Sequence, residues 1–204
     1  MPSIYHFTDF ANLEGIVESG DLRCHRVAPV AVDVGNQSIK DNRSRRAVDC
    51  GPGGMVGDYV PFYYAPRSPM LFSIKCGNVD GVSPNQRRLV YLASSTEAVY
   101  AAGLDCVITD GNAAVYITTF SDDPAGLETM IDWPLMRATI WKNTDEDPDR
   151  RRRRMAEFLV HGALPLDLVS EIAVMDAGVQ PHVAALAASN GLSIRVAIRR
   201  NWYF

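Results

Sequence analysis

Between Arg150 and Val160 the chain reads RRRRRMAEFLV. Five consecutive arginines cannot be buried together, and Phe158-Leu159-Val160 belongs in a core. The crossing from surface to core therefore falls within a few residues, with a single acid, Glu157, at its edge. A solvated helix would scatter its charges, and this segment separates them. The pattern predicts a short helix over Arg150–Met155 that enters a buried strand over Glu157–Val160. Two uses of Glu157 fit: a strand-end glutamate paired with a neighbouring arginine, or a catalytic carboxylate oriented by apolar walls.

The chain is long enough to build a site around that edge. With 204 residues, 47% of them hydrophobic, one domain over residues 1–204 is expected. No apolar run approaches the ~18 residues of a membrane span. The opening MPSIYHFTDF has no basic stretch leading into an apolar one, so a cytoplasmic location is expected. Cys24, Cys50, Cys76 and Cys106 form no CxxC pair and no histidines have metal-ligand spacing, so no metal is expected. The net charge of −4 argues against coating nucleic acid by bulk charge. Arginines nevertheless cluster at 43–46, 87–88, 150–154 and 199–200, which leaves room for a local basic groove.

Periodicity predicts strands at Ile4–Phe7, Arg88–Ala93, Cys106–Thr109, Ala114–Phe120, Glu171–Met175 and Ile194–Ile198. A short helix should follow the first strand, capped by Thr8 or Asp9, buried through Leu13, Ile16 and Val17, and ended by Gly20. Ser94 and Glu97 suggest a capping box for a helix ending at Gly103. Short helices are also expected over Pro124–Ile131 and His182–Ser189. From Val27 to Gly57 no period is visible, which suggests a functional loop. Prolines at 61, 66 and 69 exclude a regular helix through DYVPFYYAPRSPMLFSI. Strands and short helices mix without a βαβ rhythm, so the fold class is α+β. No GxGxxG motif or P-loop is present.

Four groups carry candidate chemistry. Glu157 is the first. His6, between Tyr5 and Phe7, is a satisfied core histidine or a donor to a ligand hydroxyl. Arg43, Arg45 and Arg46 are solvated or clamp phosphates. The tyrosines and prolines of YVPFYYAPRSPM form a packed corner or a platform on which a flat ring stacks. Asp110, in TDGN, reads as a turn residue, and the glycines of GPGG are a weak signal for close approach to a ligand.

Taken together, IYHFTDFANLEGIVESG, IKDNRSRRAV, GDYVPFYYAPRSPMLFSI, AEFLVHGALP, EIAV and the terminal IRRNWYF resemble the DarT family of bacterial DNA ADP-ribosyltransferase toxins. The likeness runs over nearly the whole chain, in the same order of motifs. It implies an ADP-ribosyltransferase-like fold with a split central sheet around an NAD cleft. It implies NAD as a substrate, thymidine in single-stranded DNA as the acceptor, and a macrodomain antitoxin as partner. The family's catalytic acid falls on Glu157 and its loop arginine on Arg43, with Arg45 and Arg46 nearby. His6, Thr8 and Asn12 match positions that contact NAD. Tyr63 and Arg67 lie in the motif lining the site. Arg45, Arg46, Arg67, Arg150 and Arg154 are expected along the DNA; the alternative for the 150–154 block is a solvated face paired with Asp145, Glu146, Asp147 and Asp149. The segment GNAAVY lacks the histidine that family members carry there, which bears on base or sequence preference. Transfer to RNA or protein on the same fold remains open, as does a non-catalytic single-strand-binding module. An idle module would be expected to lose Glu157 or His6, and both are present.

Overall fold

The structure, a computed structural model, describes residues 2–28 and 30–204. Its frame is an eight-stranded sheet in the order β10-β9-β4-β1-β3-β7-β5-β6, beside a two-stranded ribbon of β2 and β8. The strands are β1 (Ser3–Asp9), β2 (Asp21–Arg23), β3 (Tyr59–Tyr63), β4 (Leu89–Ser95), β5 (Cys106–Thr109), β6 (Phe120–Ser121), β7 (Glu157–His161), β8 (Ala163–Pro165), β9 (Glu171–Val174) and β10 (Arg195–Ile198). The helices are α1 (Leu13–Ser19), α2 (Gln37–Arg45), α3 (Pro69–Lys75), α4 (Thr96–Ala101), α5 (Gly126–Thr129), α6 (Trp133–Arg137), α7 (Arg150–Arg153) and α8 (Gln180–Ser189). Among the described residues only β9 and β10 pair in parallel. The α+β expectation holds.

The sheet splits between β1 and β3. β1 pairs with β4 along its whole length, from Ser3↔Ser95 to Asp9↔Leu89. Against β3 it keeps the single register pair Tyr5↔Tyr63. Proline explains the gap. A strand residue turns its N–H and C=O to the same side, and the Pro61 carbonyl faces β1, where it accepts from His6 Nδ1 at 2.9 Å. On that side Pro61 has no N–H to donate, so the ladder stops and a side chain fills the position. On its other side β3 pairs fully with β7, from Tyr59↔His161 to Tyr63↔Glu157. One face of the sheet packs Ile4, Phe62, Leu92, Phe158 and Ile172 against α1 and α8. The other packs Phe7, Leu71, Ile74, Tyr91 and Tyr203.

Several local expectations are corrected. The stretch from 27 to 57, of which position 29 lies outside the described residues, contains α2. Asn36 caps it by accepting from the Ser38 and Ile39 N–H groups, and none of its residues is buried, so it has no apolar period to read. Pro69 does not exclude a helix but begins one: it sits in the first turn of α3, where its missing N–H costs nothing, with Ser68 as cap. The cap of α4 is Ser95, whose Oγ accepts from Ala98 N; Ser94 instead donates to the Leu168 carbonyl. Residues 114–120 are mostly turns, not a strand. Asn112 supplies the reason, since its Oδ1 accepts from Ala114 N and its carbonyl accepts from Val115 N and Thr118 Oγ1. Local bonds of this kind satisfy the backbone in place of a ladder.

Candidate active site

Glu157 opens β7 in the middle of the sheet and is 1% exposed. Its position is set from β5: Glu157 N donates to Thr109 Oγ1 at 2.9 Å, and that hydroxyl donates to the Gly111 carbonyl at 2.7 Å. Both carboxylate oxygens are held. Oε1 accepts from Ala113 N at 2.9 Å and Oε2 from Arg43 Nη1 at 2.7 Å. The acid is thus fixed in orientation by one backbone donor and one guanidinium. Arg43 Nη2 is buried and has no hydrogen-bond partner among the described residues.

These groups border a cavity of about 820 Å³ lined by His6, Thr8, Asn12, Arg43, Tyr63 and Glu157. Of the predicted cluster, these six come together. Burial and, secondarily, the Arg43 charge pull the His6 pKa down to about 4, against the opposing bond to Pro61. The ring is therefore neutral near pH 7. Because the Pro61 carbonyl can only accept, Nδ1 carries the hydrogen and Nε2 is a bare acceptor. With that hydrogen committed to Pro61, the ring has no second N–H with which to donate to a ligand hydroxyl, contrary to expectation. Burial and the Glu157 charge hold the Tyr63 hydroxyl above its usual pKa, so it stays a phenol. Asn12 donates to Thr8 Oγ1 at 2.8 Å and to the Val32 carbonyl at 2.7 Å, and accepts from Val32 N at 2.8 Å. Both its amide hydrogens are committed to pinning the cavity wall.

The charge state of His6 has a measurable consequence. Its pKa in the fold lies below the unfolded value of 6.5, so the unfolded chain binds more protons between about 4 and 6.5. Its contribution to stability is complete above pH 6.5 and drains away as pH falls through that window. Urea unfolding across pH 4–7 should show this slope, and His6→Ala should flatten it. An unchanged slope would mean that His6 is not the titrating group.

The remaining predicted arginines stand apart. Arg45 is exposed. Arg46 donates to the Tyr116 and Thr118 carbonyls and lies 5.2 Å from the Tyr116 ring centre, so it braces the 112–119 segment. Arg67 is exposed and stacks on the Phe204 ring at 4.3 Å. Arg150 donates to the Ile140 carbonyl. The placement of Arg154 along a DNA backbone is corrected. It is 4% exposed, donates to the Arg67 carbonyl, and has its pKa lowered to about 10 by burial and by Arg67. A side chain so enclosed presents no cation to a strand. Sequence reasoning missed Thr109 and Ala113, which hold the acid in place, and Asn112, which shapes the segment carrying Ala113; a backbone N–H leaves no mark in a sequence. Among the described residues, no group of three His, Cys, Asp or Glu side chains is placed to hold a metal.

A sheet split beside a buried acid on its central strand is the fold of an ADP-ribosyltransferase-like enzyme. Comparison with known proteins narrows the class. The family model described as "ssDNA thymidine ADP-ribosyltransferase, DarT" matches residues 5–204. The chain belongs to the DarT family. A DNA ADP-ribosyl transferase of Thermus sp. (strain 2.9) is 36% identical, covering 98% of this chain and 95% of that protein. One from Mycobacterium tuberculosis is 34% identical over 98% of this chain and 88% of its own length. The structure of Thermus sp. 2.9 DarT in complex with ADP-ribosylated ssDNA superposes with a TM-score of 0.92 at 35% identity, covering 100% of this chain and 96% of that one.

Proposed function

We propose that this enzyme transfers ADP-ribose from NAD to thymidine in single-stranded DNA, with Glu157 and Arg43 as its catalytic pair. The observation that carries the assignment of roles is the buried carboxylate held through both oxygens beside a guanidinium with a donor to spare. Breaking the bond between nicotinamide and ribose builds positive charge on the ribose carbon. A fixed carboxylate in a cavity shielded from water stabilises that charge more than it would in water. His6 Nε2 accepts from a sugar hydroxyl and orients the ring. Nicotinamide leaves as a neutral molecule with the bonding electron pair, so no strong acid is required. A thymine ring nitrogen supplies the new bond, and the proton it sheds passes to Glu157. Arg43 Nη2 donates to the incoming base or to a phosphate. Thr8, Asn12 and Tyr63 shape the wall against which NAD lies.

The family likeness and the acceptor extend the reading to a cytoplasmic toxin, paired with a macrodomain antitoxin that removes the mark. Among the described residues no helix is long and apolar enough to cross a membrane. Incubation with labelled NAD and separate pools of single-stranded DNA, RNA and protein tests the acceptor; label in RNA or protein alone would overturn it. The same strand annealed to its complement should be modified far more slowly, because extruding a paired base costs a few kcal/mol. Equal labelling of duplex and single strand would contradict a site that needs the exposed edge of the base.

A further inference from the structure

The arginine block does not act as a block. Arg152 is tied to Asp110 at 2.9 Å and Asp149 at 2.7 Å, and Arg153 to Asp147 at 2.7 Å and Asp132 at 3.1 Å. Arg150 is partly exposed, between the Ile140 carbonyl and Asp147 at 3.9 Å. Arg154 is enclosed. Arg151 differs from all of these. Its side chain is exposed and engages no carboxylate, carbonyl or ring among the described residues, while its backbone N–H is held by Asn143 Oδ1 at 2.7 Å. The acids from both flanks have neutralised its neighbours and left this one charge free.

That charge borders a second cavity, of about 330 Å³. Arg151, Arg152, Asn143 and Val115 line it together with Pro69 and Ser73 of α3. Met70, Asn112, Met155 and Ile39 line this cavity and the one containing Glu157 alike, so the two adjoin. Their boundary lies next to Ala113, whose N–H holds the catalytic carboxylate. The lining of the second cavity therefore combines apolar side chains, a hydroxyl, two amides, the guanidinium of Arg152 tied to carboxylates, and the unneutralised guanidinium of Arg151. This suits a flat base with a phosphodiester attached, and a guanidinium matches a phosphate's geometry.

We infer that this second cavity takes the nucleotide adjoining the modified one, with its phosphodiester on Arg151. The inference rests on single-stranded DNA being the acceptor. Arg151 positions the strand so that the neighbouring base reaches the catalytic pair; it does not take part in bond breaking.

The test compares the native chain with Arg151→Gln and Arg151→Lys, using a labelled single-stranded oligonucleotide at several salt concentrations. Arg151→Gln should raise the KM for the oligonucleotide on the order of tenfold, as expected for one charge-assisted contact, with kcat little changed. It should flatten the slope of log affinity against log salt by about 0.7, the share of one phosphate on a single strand. Arg151→Lys should recover much of both, because the charge returns. NAD affinity measured without DNA should be the same for all three, which also reports that the variants are folded. Free thymidine, which has no flanking phosphodiester, should be used equally poorly by native and Gln forms. If the native enzyme labels the oligonucleotide and Arg151→Gln matches it in KM and salt slope, the assignment of the cavity is wrong. If the native enzyme labels no single-stranded DNA, the acceptor reading falls first and this inference with it.

Discussion

Glu157→Gln should abolish measurable transfer while the protein stays folded. The substitution removes a charge, and the geometry adds a second penalty. The carboxylate accepts from two donors at once, Ala113 N and Arg43 Nη1. An amide has one acceptor oxygen, so one of those donors meets an NH2 group instead, and the side chain cannot hold its present orientation. Losing one preorganised electrostatic partner of a charged transition state costs roughly 10²–10³ in rate. Removing the proton acceptor adds to that. In bacteria the native chain should stop growth and the Gln variant should not. Equal toxicity of the two, at equal expression, would remove Glu157 from the mechanism.

Arg43→Ala should lower turnover by about 10²-fold, the scale of a lost transition-state donor. Arg45→Ala should stay within about twofold, as surface substitutions do. The two residues lie two apart in IKDNRSRR and carry the same charge, so bulk electrostatics predicts equal effects. The geometry does not. Arg43 reaches Glu157 with one nitrogen and keeps a second buried without a partner, whereas Arg45 is exposed. Arg43→Lys should recover little, because an ammonium can hold the carboxylate or the ligand but lacks the forked geometry to hold both. Parallel NAD-labelling assays of the three variants decide this. A larger loss at Arg45 than at Arg43 would overturn the assignment.

What the sequence discloses about the site follows from how local each feature is. Glu157 is legible because the change from arginines to Phe158-Leu159-Val160 happens within a few residues. His6 is legible as a candidate, but its role as acceptor is not, because that depends on the Pro61 carbonyl 55 positions away. Asn12 stands where expected, yet its amide is spent on Val32, which no spacing rule indicates. The arginine block shows the limit most clearly. Five identical letters give no reason to rank Arg151 above Arg150 or Arg154. The ranking comes from Asp110 and Asp132, which other segments bring in, and from burial beneath Arg67. The same holds for backbone structure. Strands made of runs of buried residues, such as β4 and β9, are readable, while α2 is not, because none of its residues is fully buried.

That last property of α2 governs how the site is held together. Glu157 is buried in the central sheet. Arg43 belongs to a helix with no buried residue, which can detach at a small cost in free energy. The bond between them is therefore also a latch, joining the buried sheet to a surface helix. A latch works in both directions. Whatever engages Arg43 and the sheet together slows local opening of the helix, and whatever holds the helix down strengthens ligand binding by the same free energy. A ligand that engages Arg43 together with the sheet should therefore slow hydrogen exchange of the amides of residues 37–45.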